Sequence, residues 1–428
     1  MKKDLFRKIL DSKDIKKHII GQHKNLYFDY TASGLAFEPI EARINEVLQT
    51  YANTHSKEAS MANTTNNYFE EARENLKRMF ELDGEFTILP NGCGATAAIK
   101  HFQEIMGIYI PPATKQRFNI QVDKSKLPLV LVGPYEHHSN DVSFREALCE
   151  KIRINLDKNG LVDLNHLEEL LKKNKHREII GSFCIASNVT GIISDYKNIS
   201  KLLRKYNAIV CFDAAASSPY MNVPCEYYDA MFVSPHKLLG GPGSCGLLLI
   251  RKSLVDSNIS PTFAGGGTVL YVNKDTQEYD KKIENRENAG TPGILQFIRA
   301  SLAYQLRNEI GFEYIKQKKE KLTKYFIKQL KRVPNITVYG NLEASNIGIV
   351  SFNIKDLSPY DLCARLSNIF GVQTRAGCSC AGPYGHDLLG IEKIDLANKP
   401  GWVRVSIHYT MEKEDINNLL TAIKDSIK

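Results

Sequence analysis

A lysine between two apolar runs is the residue in this sequence best placed for chemistry. Lys237 follows Ala230-Met-Phe-Val233, a short strand pattern, through the polar turn Ser234-Pro235-His236. The glycine-rich exit Gly240-Gly-Pro-Gly243 then leads to a second apolar run, Gly246 to Ile250. An amine held there is costly unless it is neutral, paired or covalently used. Burial lowers a lysine pKa, and a neutral amine condenses with carbonyl groups. Ser234 and His236 could donate hydrogen bonds to an anion, and the glycines let the backbone come close. A surface turn after a strand uses the same residue types, so the other candidates must decide between the two readings.

Four of these also follow apolar runs or sit in turns. Gly94-Ala95-Thr96 comes after Phe86 to Leu89 and opens a helix, whose amides and the Thr96 hydroxyl could seat an anion; Gly94 could equally just break a strand. Asp213 ends the run Ala208 to Phe212, where a carboxylate is costly without a cation such as a pyridinium; it could also cap a helix. His137, in Glu136-His-His-Ser-Asn140, could lay its ring on a flat heterocycle or be a satisfied core histidine. Cys378-Ser-Cys380 offers two thiols and no zinc site, because no second pair stands at ligand spacing.

The elements that would position these residues alternate: apolar strand, glycine-containing turn, amphipathic helix. Strand runs at Phe86 to Leu89, Leu129 to Val132 and Ile179 to Ala186 are followed by helices at Ala97 to Gly107, from about Asp141, and at Tyr196 to Tyr206, and a fourth run, Ala208 to Phe212, ends on Asp213. That order predicts a mainly parallel sheet covered on both faces, with its ligand crevice beyond the carboxyl ends of the strands. Upstream, residues 4 to 20 read as a leading helix, Ile40 to Tyr51 and Phe69 to Phe80 as helices, and Asn53 to Asn67 as a polar loop. After Asn288-Ala-Gly-Thr-Pro-Gly293 the texture changes. A long helical region to Val333, strands at Ile336 to Tyr339, Ile347 to Asn353 and Trp402 to Ile407, a helix at Pro359 to Phe370 and a final helix read as a smaller α+β domain. The expected division is 22–287 for the large unit, with 1–21 and 288–428 forming the small one.

At 428 residues two domains are the natural prior, and 43% hydrophobic with 24% charged residues is ordinary for a globular protein. The net charge of +8 owes much to Ile315 to Arg332, but Ile315, Leu322, Phe326 and Leu330 recur there at helical spacing. An amphipathic helix with a solvated basic face accounts for it, and no nucleic-acid partner is expected. Charges scattered through Met1-Lys-Lys-Asp-Leu-Phe-Arg7, with no apolar core, lead us to expect no signal peptide, and no run of about 18 apolar residues predicts a membrane span. Nine cysteines, several inside apolar runs, predict free thiols and a reducing, cytoplasmic setting.

In this order the motifs resemble the class V group of pyridoxal-phosphate (PLP) enzymes, and within it the cysteine desulfurases and selenocysteine lyases. The resemblance runs from Tyr27-Phe-Asp-Tyr-Thr-Ala32 to Arg404-Val-Ser406. It is most specific at Glu136-His-His-Ser-Asn140, Ser187-Asn-Val-Thr-Gly191, Ser234-Pro-His-Lys237 and Arg375-Ala-Gly-Cys-Ser-Cys380. It implies the type I PLP-dependent transferase fold, a large domain with a mainly parallel seven-stranded sheet plus a smaller α+β domain. Lys237 would hold PLP as a Schiff base, His137 would stack on its ring, Asp213 would pair with the pyridine nitrogen, and Asn188 would lie near the ring hydroxyl. Gly94, Ala95, Thr96, Ser234 and His236 would receive the phosphate. Thr291 would reach the phosphate of the partner's site across a homodimer interface.

For the substrate carboxylate the matching residue is Arg375, whose guanidinium fork grips a carboxylate in two places; Arg404 is a second candidate. Cys380, five positions after Arg375, falls where that group has the nucleophile that takes sulfur from cysteine, or selenium from selenocysteine, and leaves alanine. A sulfur-acceptor protein is implied as a possible partner. Three features depart from the pattern: Ala216 stands where a glutamine is usual, Ala95 replaces a second threonine, and Pro235 replaces a glycine. The segment after Cys380, up to Lys399, is also longer than expected. Ala216 leaves a hydrogen bond to the cofactor missing or made otherwise, which keeps another class V reaction open: transamination, epimerisation or a lyase step without Cys380.

Overall fold

The computed structural model describes residues 4–10, 15–21, 26–54, 56, 58–392 and 401–427. Seven strands form the large sheet: β1 (Phe86–Asn91), β2 (Leu129–Val132), β3 (Glu150–Arg153), β4 (Ile179–Cys184), β5 (Ile209–Asp213), β6 (Ala230–Val233) and β7 (Gly246–Arg251). Their spatial order is β1-β7-β6-β5-β4-β2-β3, and only β7 runs against the rest. This is the type I PLP-enzyme architecture that the resemblance implied.

Strand periodicity explains the layers. Side chains two apart face the same way, so Leu129 and Leu131 enter one core with Met231, Val233, Leu247 and Leu249. Val130 and Val132 enter the opposite core with Phe232, Leu248 and Ile250. Helices α1 (Glu38–Leu48) and α2 (Ser60–Met79) feed the first core, and α3 (Gly94–Ile105) and α4 (His138–Glu146) the second. Helices α5 (Leu164–Asn174) and α6 (Tyr196–Lys205) add Leu167, Leu171, Ile199 and Leu203 to the first. Strands buried on both faces suit a covered parallel sheet.

The long helical region divides at Gly311, whose φ of 89° ends α7 (Ile294–Ile310) before α8 (Phe312–Leu330). A second, antiparallel sheet in the order β8-β9-β11-β10 follows: β8 (Ile336–Val338), β9 (Ile349–Ile354), β10 (Arg375–Gly377) and β11 (Trp402–Ser406). Helices α9 (Pro359–Phe370) and α11 (Lys413–Asp425) share its core, and α10 (Gly382–Leu389) lies between β10 and β11 in the chain. Among the described residues no helix is long and apolar enough to cross a membrane.

Two expectations need correction. The leading helix over 4 to 20 does not form. Its described residues give one short 3-10 turn, Ile15–His18, and 11–14 lie outside the described residues. The Arg43 guanidinium takes the carbonyls of Leu5, Arg7 and Lys8, acceptors that a helix would have used. The polar stretch before Asn67 is helical from Ser60, because α2 buries Ala62 and Thr65 as well as Tyr68 and Phe69. The division at 22 and 288 stands as a proposal, and residue 22 is outside the described residues. Leu5, Ile9, Ile19 and α7 share the large core, whereas Phe28 and Tyr30 join the small one.

Candidate active site

All the parallel strands end on one side, and β7 begins there, with Gly246 opposite Asn91. The sheet order also reverses between β2 and β4, the place where such sheets open a crevice. A cavity of ≈ 210 Å³ lies at these strand ends, lined by every expected site residue except Thr291.

One end of the cavity is an anion seat. Gly94 begins α3 with a φ of 65°, and a Cβ there would stand 2.9 Å from the His236 ring and 3.1 Å from Ser234 Oγ. Only glycine fits both the conformation and the space. The next amide, of Ala95, donates to Ser234 Oγ at 2.8 Å, and the Thr96 and Ser139 hydroxyls meet at 2.6 Å. Burial, followed by the charge of Lys237, pushes His236 down to about 4, so its ring is neutral at pH 7. The seat thus offers amides, hydroxyls and a neutral imidazole, a donor set that suits a phosphate.

Behind it stand the ring-binding candidates. His137 caps α4, its Nδ1 accepting the Ser139 amide at 3.1 Å, which leaves the ring proton on Nε2. Burial, then Lys237 and His138, push it to about 4, so His137 also presents an uncharged ring. Asp213 ends β5 and is 5% exposed. Its Oδ1 accepts the Ala215 amide at 2.9 Å, and Oδ2 makes no hydrogen bond among the described residues. Burial raises its pKa, and the cation that opposes the rise is Lys237. Lys237 in turn is pushed down to about 8, chiefly by burial, against the pull of Asp213. Burial outweighs mutual attraction for both partners, so the carboxylate lacks a sufficient counter-ion and the amine gives up its proton far more readily than an exposed lysine.

The third wall comes from the small sheet. Arg375 on β10 and Arg404 on β11 are direct cross-strand partners. Arg404 is 2% exposed and already engaged, with Nη2 on Asp29 Oδ1 at 2.7 Å and Nη1 on the Asn188 carbonyl at 3.1 Å. Arg375 is partly exposed and makes no ion pair among the described residues, leaving its fork open to a carboxylate.

Cys380 lies in the cavity on a turn with unusual backbone. Ser379 and Cys380 have φ of 55° and 57°, left-handed values that cost a non-glycine residue about 1–2 kcal/mol. Four contacts hold them. Asn188 Nδ2 donates to the Ser379 carbonyl at 2.6 Å, and the His138 amide donates to the Cys380 carbonyl at 2.8 Å. The Gly382 amide donates to His138 Nε2 at 2.9 Å, and Trp402 donates to Ser379 Oγ at 3.3 Å. Asn188 Oδ1 stays buried with no partner among the described residues, an acceptor suited to a ring hydroxyl. That orphan, the glycine cradle at the anion seat and the unpaired Asp213 carboxylate all fit PLP.

Thr291 lies elsewhere. It is exposed on the loop before α7, and the Asn53 side-chain amide reaches its hydroxyl at 3.4 Å. Ala95 and Ala216 both line the cavity with methyl groups. Sequence reasoning missed the supports: Asp29, His138, Ser139 and Ser379. All four stand inside motifs already singled out, yet nothing local signals that they brace a partner far along the chain. Residues 393–400, the end of the long segment after Cys380, lie outside the described residues.

Comparison with known proteins agrees with this geometry. The family model described as aminotransferase class-V matches residues 26–419. A protein named probable cysteine desulfurase from Pyrococcus abyssi is 28% identical over 97% of both chains. Another of that name from Methanothermobacter thermautotrophicus is 27% identical, over 95% of this chain and 96% of its own. The apo structure of a cysteine desulfurase from Thermococcus onnurineus NA1 matches with a TM-score of 0.81 and 25% identity, over 96% of this chain and 97% of that one.

Proposed function

The chain belongs to the class-V aminotransferase family, which is PLP-dependent, and from that premise we propose that it takes sulfur from L-cysteine onto Cys380 and releases alanine. One observation carries the reading: Cys380, Lys237, Asp213 and Arg375 line a single small cavity, with Cys380 pinned on a braced turn. Lys237 would hold the cofactor's aldehyde carbon, Asp213 the ring nitrogen, Asn188 the ring hydroxyl and the Gly94–Thr96 seat the phosphate, with His137 against the ring. Bound there, PLP supplies an electron sink for an amino-acid substrate.

Arg375 orients the substrate carboxylate. Lys237, its pKa lowered by burial, accepts and returns the proton at the substrate Cα. The Cys380 thiolate attacks the substrate sulfur, and the bond from that sulfur to carbon breaks, leaving a persulfide on Cys380. Selenium in selenocysteine occupies the same position and would follow the same route. A homodimer with Thr291 beside the partner's phosphate, a sulfur-acceptor protein and a reducing cytoplasmic setting belong to the same proposal.

The test is an anaerobic assay with L-cysteine and a reductant. Wild-type protein should yield equal alanine and sulfide, and Cys380→Ser should yield neither above background. Ala216 favours the second reading, a class V reaction without Cys380, since its methyl group offers the cofactor no hydrogen bond. That reading predicts turnover surviving Cys380→Ser but lost in Lys237→Ala, with a keto acid or inverted amino acid as product.

A further inference from the structure

The cavity reading leaves one nucleophile unused beside Cys380. Cys378 opens the same turn: the Ala381 amide donates back to the Cys378 carbonyl at 3.1 Å, and the two residues between are the left-handed Ser379 and Cys380. Positive φ at both central positions with an i to i+3 hydrogen bond is the type I′ geometry. An extended chain would separate the Cα atoms of residues 378 and 380 by about 7 Å, the outer limit for a disulfide. Folding the chain into the turn shortens that span. Both thiols are free and partly exposed, but only Cys380 lines the cavity. Cys184, which also lines it, is buried at the end of β4 with its thiol toward the Tyr135 carbonyl. Cys93 lines the cavity from the start of α3, beside the anion seat.

We infer that Cys378 is the resolving thiol for sulfur carried on Cys380, an inference that rests on the function proposed above. The Cys378 thiolate attacks Cys380 Sγ of the persulfide. The bond between that sulfur and the terminal one breaks, and the terminal sulfur leaves as hydrosulfide with its proton. The electron pair of the broken bond goes with it, so the transferred sulfur is reduced to sulfide while the two cysteines become a disulfide. A disulfide closed across one residue is strained and easily reduced. A low-molecular-weight thiol, two equivalents per disulfide, returns both cysteines to the thiol state. The sulfur product is then free sulfide.

The experiment uses the PLP-loaded protein with one equivalent of L-cysteine, without oxygen or added thiol, quenched in acid and mapped by peptide mass spectrometry. Wild-type protein should release sulfide and give a peptide containing Cys378 and Cys380 that has lost two hydrogens. Cys378→Ser and Cys378→Ala should instead carry one extra sulfur on Cys380 and release sulfide only when thiol is added. Neither replacement disturbs the left-handed positions of the turn. An extra sulfur on wild-type Cys380 to the same extent as in the variants, with no disulfide, overturns the role of Cys378 and leaves Cys380 as acceptor. Alanine formation with Cys380 unmodified in every protein overturns both. Should the variants not fold, the wild-type peptide alone decides between disulfide and persulfide.

Discussion

Replacing Gly94 by alanine tests the anion seat at the atom where it is tightest. The new Cβ would stand 2.9 Å from the His236 ring and 3.1 Å from Ser234 Oγ, in a backbone conformation with φ of 65°. The left-handed conformation alone costs an alanine about 1–2 kcal/mol. Moving Ser234 weakens the bond it accepts from the Ala95 amide, worth about 1 kcal/mol net. The first effect lowers stability whether or not the cofactor is present. The second, with the displaced His236, acts on the phosphate, so PLP should bind at least about fivefold more weakly, since 1.4 kcal/mol is a factor of ten. The assay is titration of the apoprotein with PLP followed by absorbance, with urea unfolding of the same samples. Gly84→Ala is the control, because a Cβ there meets nothing within 4 Å. Gly94→Ala protein that binds PLP as tightly as wild type would refute the phosphate assignment, whatever its stability.

Two further outcomes follow from the cavity's charges. Lys237 sits at about 8 instead of 10.5, so its neutral, nucleophilic fraction grows as pH rises through 8; the rate at which apoprotein captures PLP should climb between about pH 7 and 9 and then level off. Stopped-flow absorbance measures it, and a rate still rising steeply above pH 10 would mean that burial does not depress this amine. Asp29→Ala removes the carboxylate that faces the Arg404 guanidinium and should destabilise the protein by roughly 3 kcal/mol in urea, since a buried unpaired charge remains. A loss below about 1 kcal/mol would place that pair with surface ion pairs.

Much of this site could be read before any coordinates, and for a physical reason. Apolar runs such as Leu129–Val132 and Ala230–Val233 are buried on both faces, so they stand out as short continuous apolar stretches and the polar residue just beyond each one marks a strand end. His137, Asp213 and Lys237 were found that way. The edge strand Glu150–Arg153 is not legible in the sequence, because none of its residues is fully buried and Glu-Lys-Ile-Arg forms no apolar run. Helix α5 was passed over although Asp163 caps it and Leu164, Leu167 and Leu171 recur at helical spacing. The long-range contacts that brace the Cys380 turn and hold Arg404 are a different case. Asn188 and Ser379 lie 191 positions apart, and Asp29 and Arg404 lie 375 apart, so only the folded chain shows that they meet.

The measurement closest to the heart of the account is hydride trapping of the cofactor-saturated protein, followed by peptide mass mapping. Borohydride reduction should fix one pyridoxyl phosphate per chain on the Lys237 Nζ, with Lys237→Ala protein unlabelled. A folded, PLP-saturated protein whose Lys237 peptide comes back unmodified would contradict the assignment of this cavity.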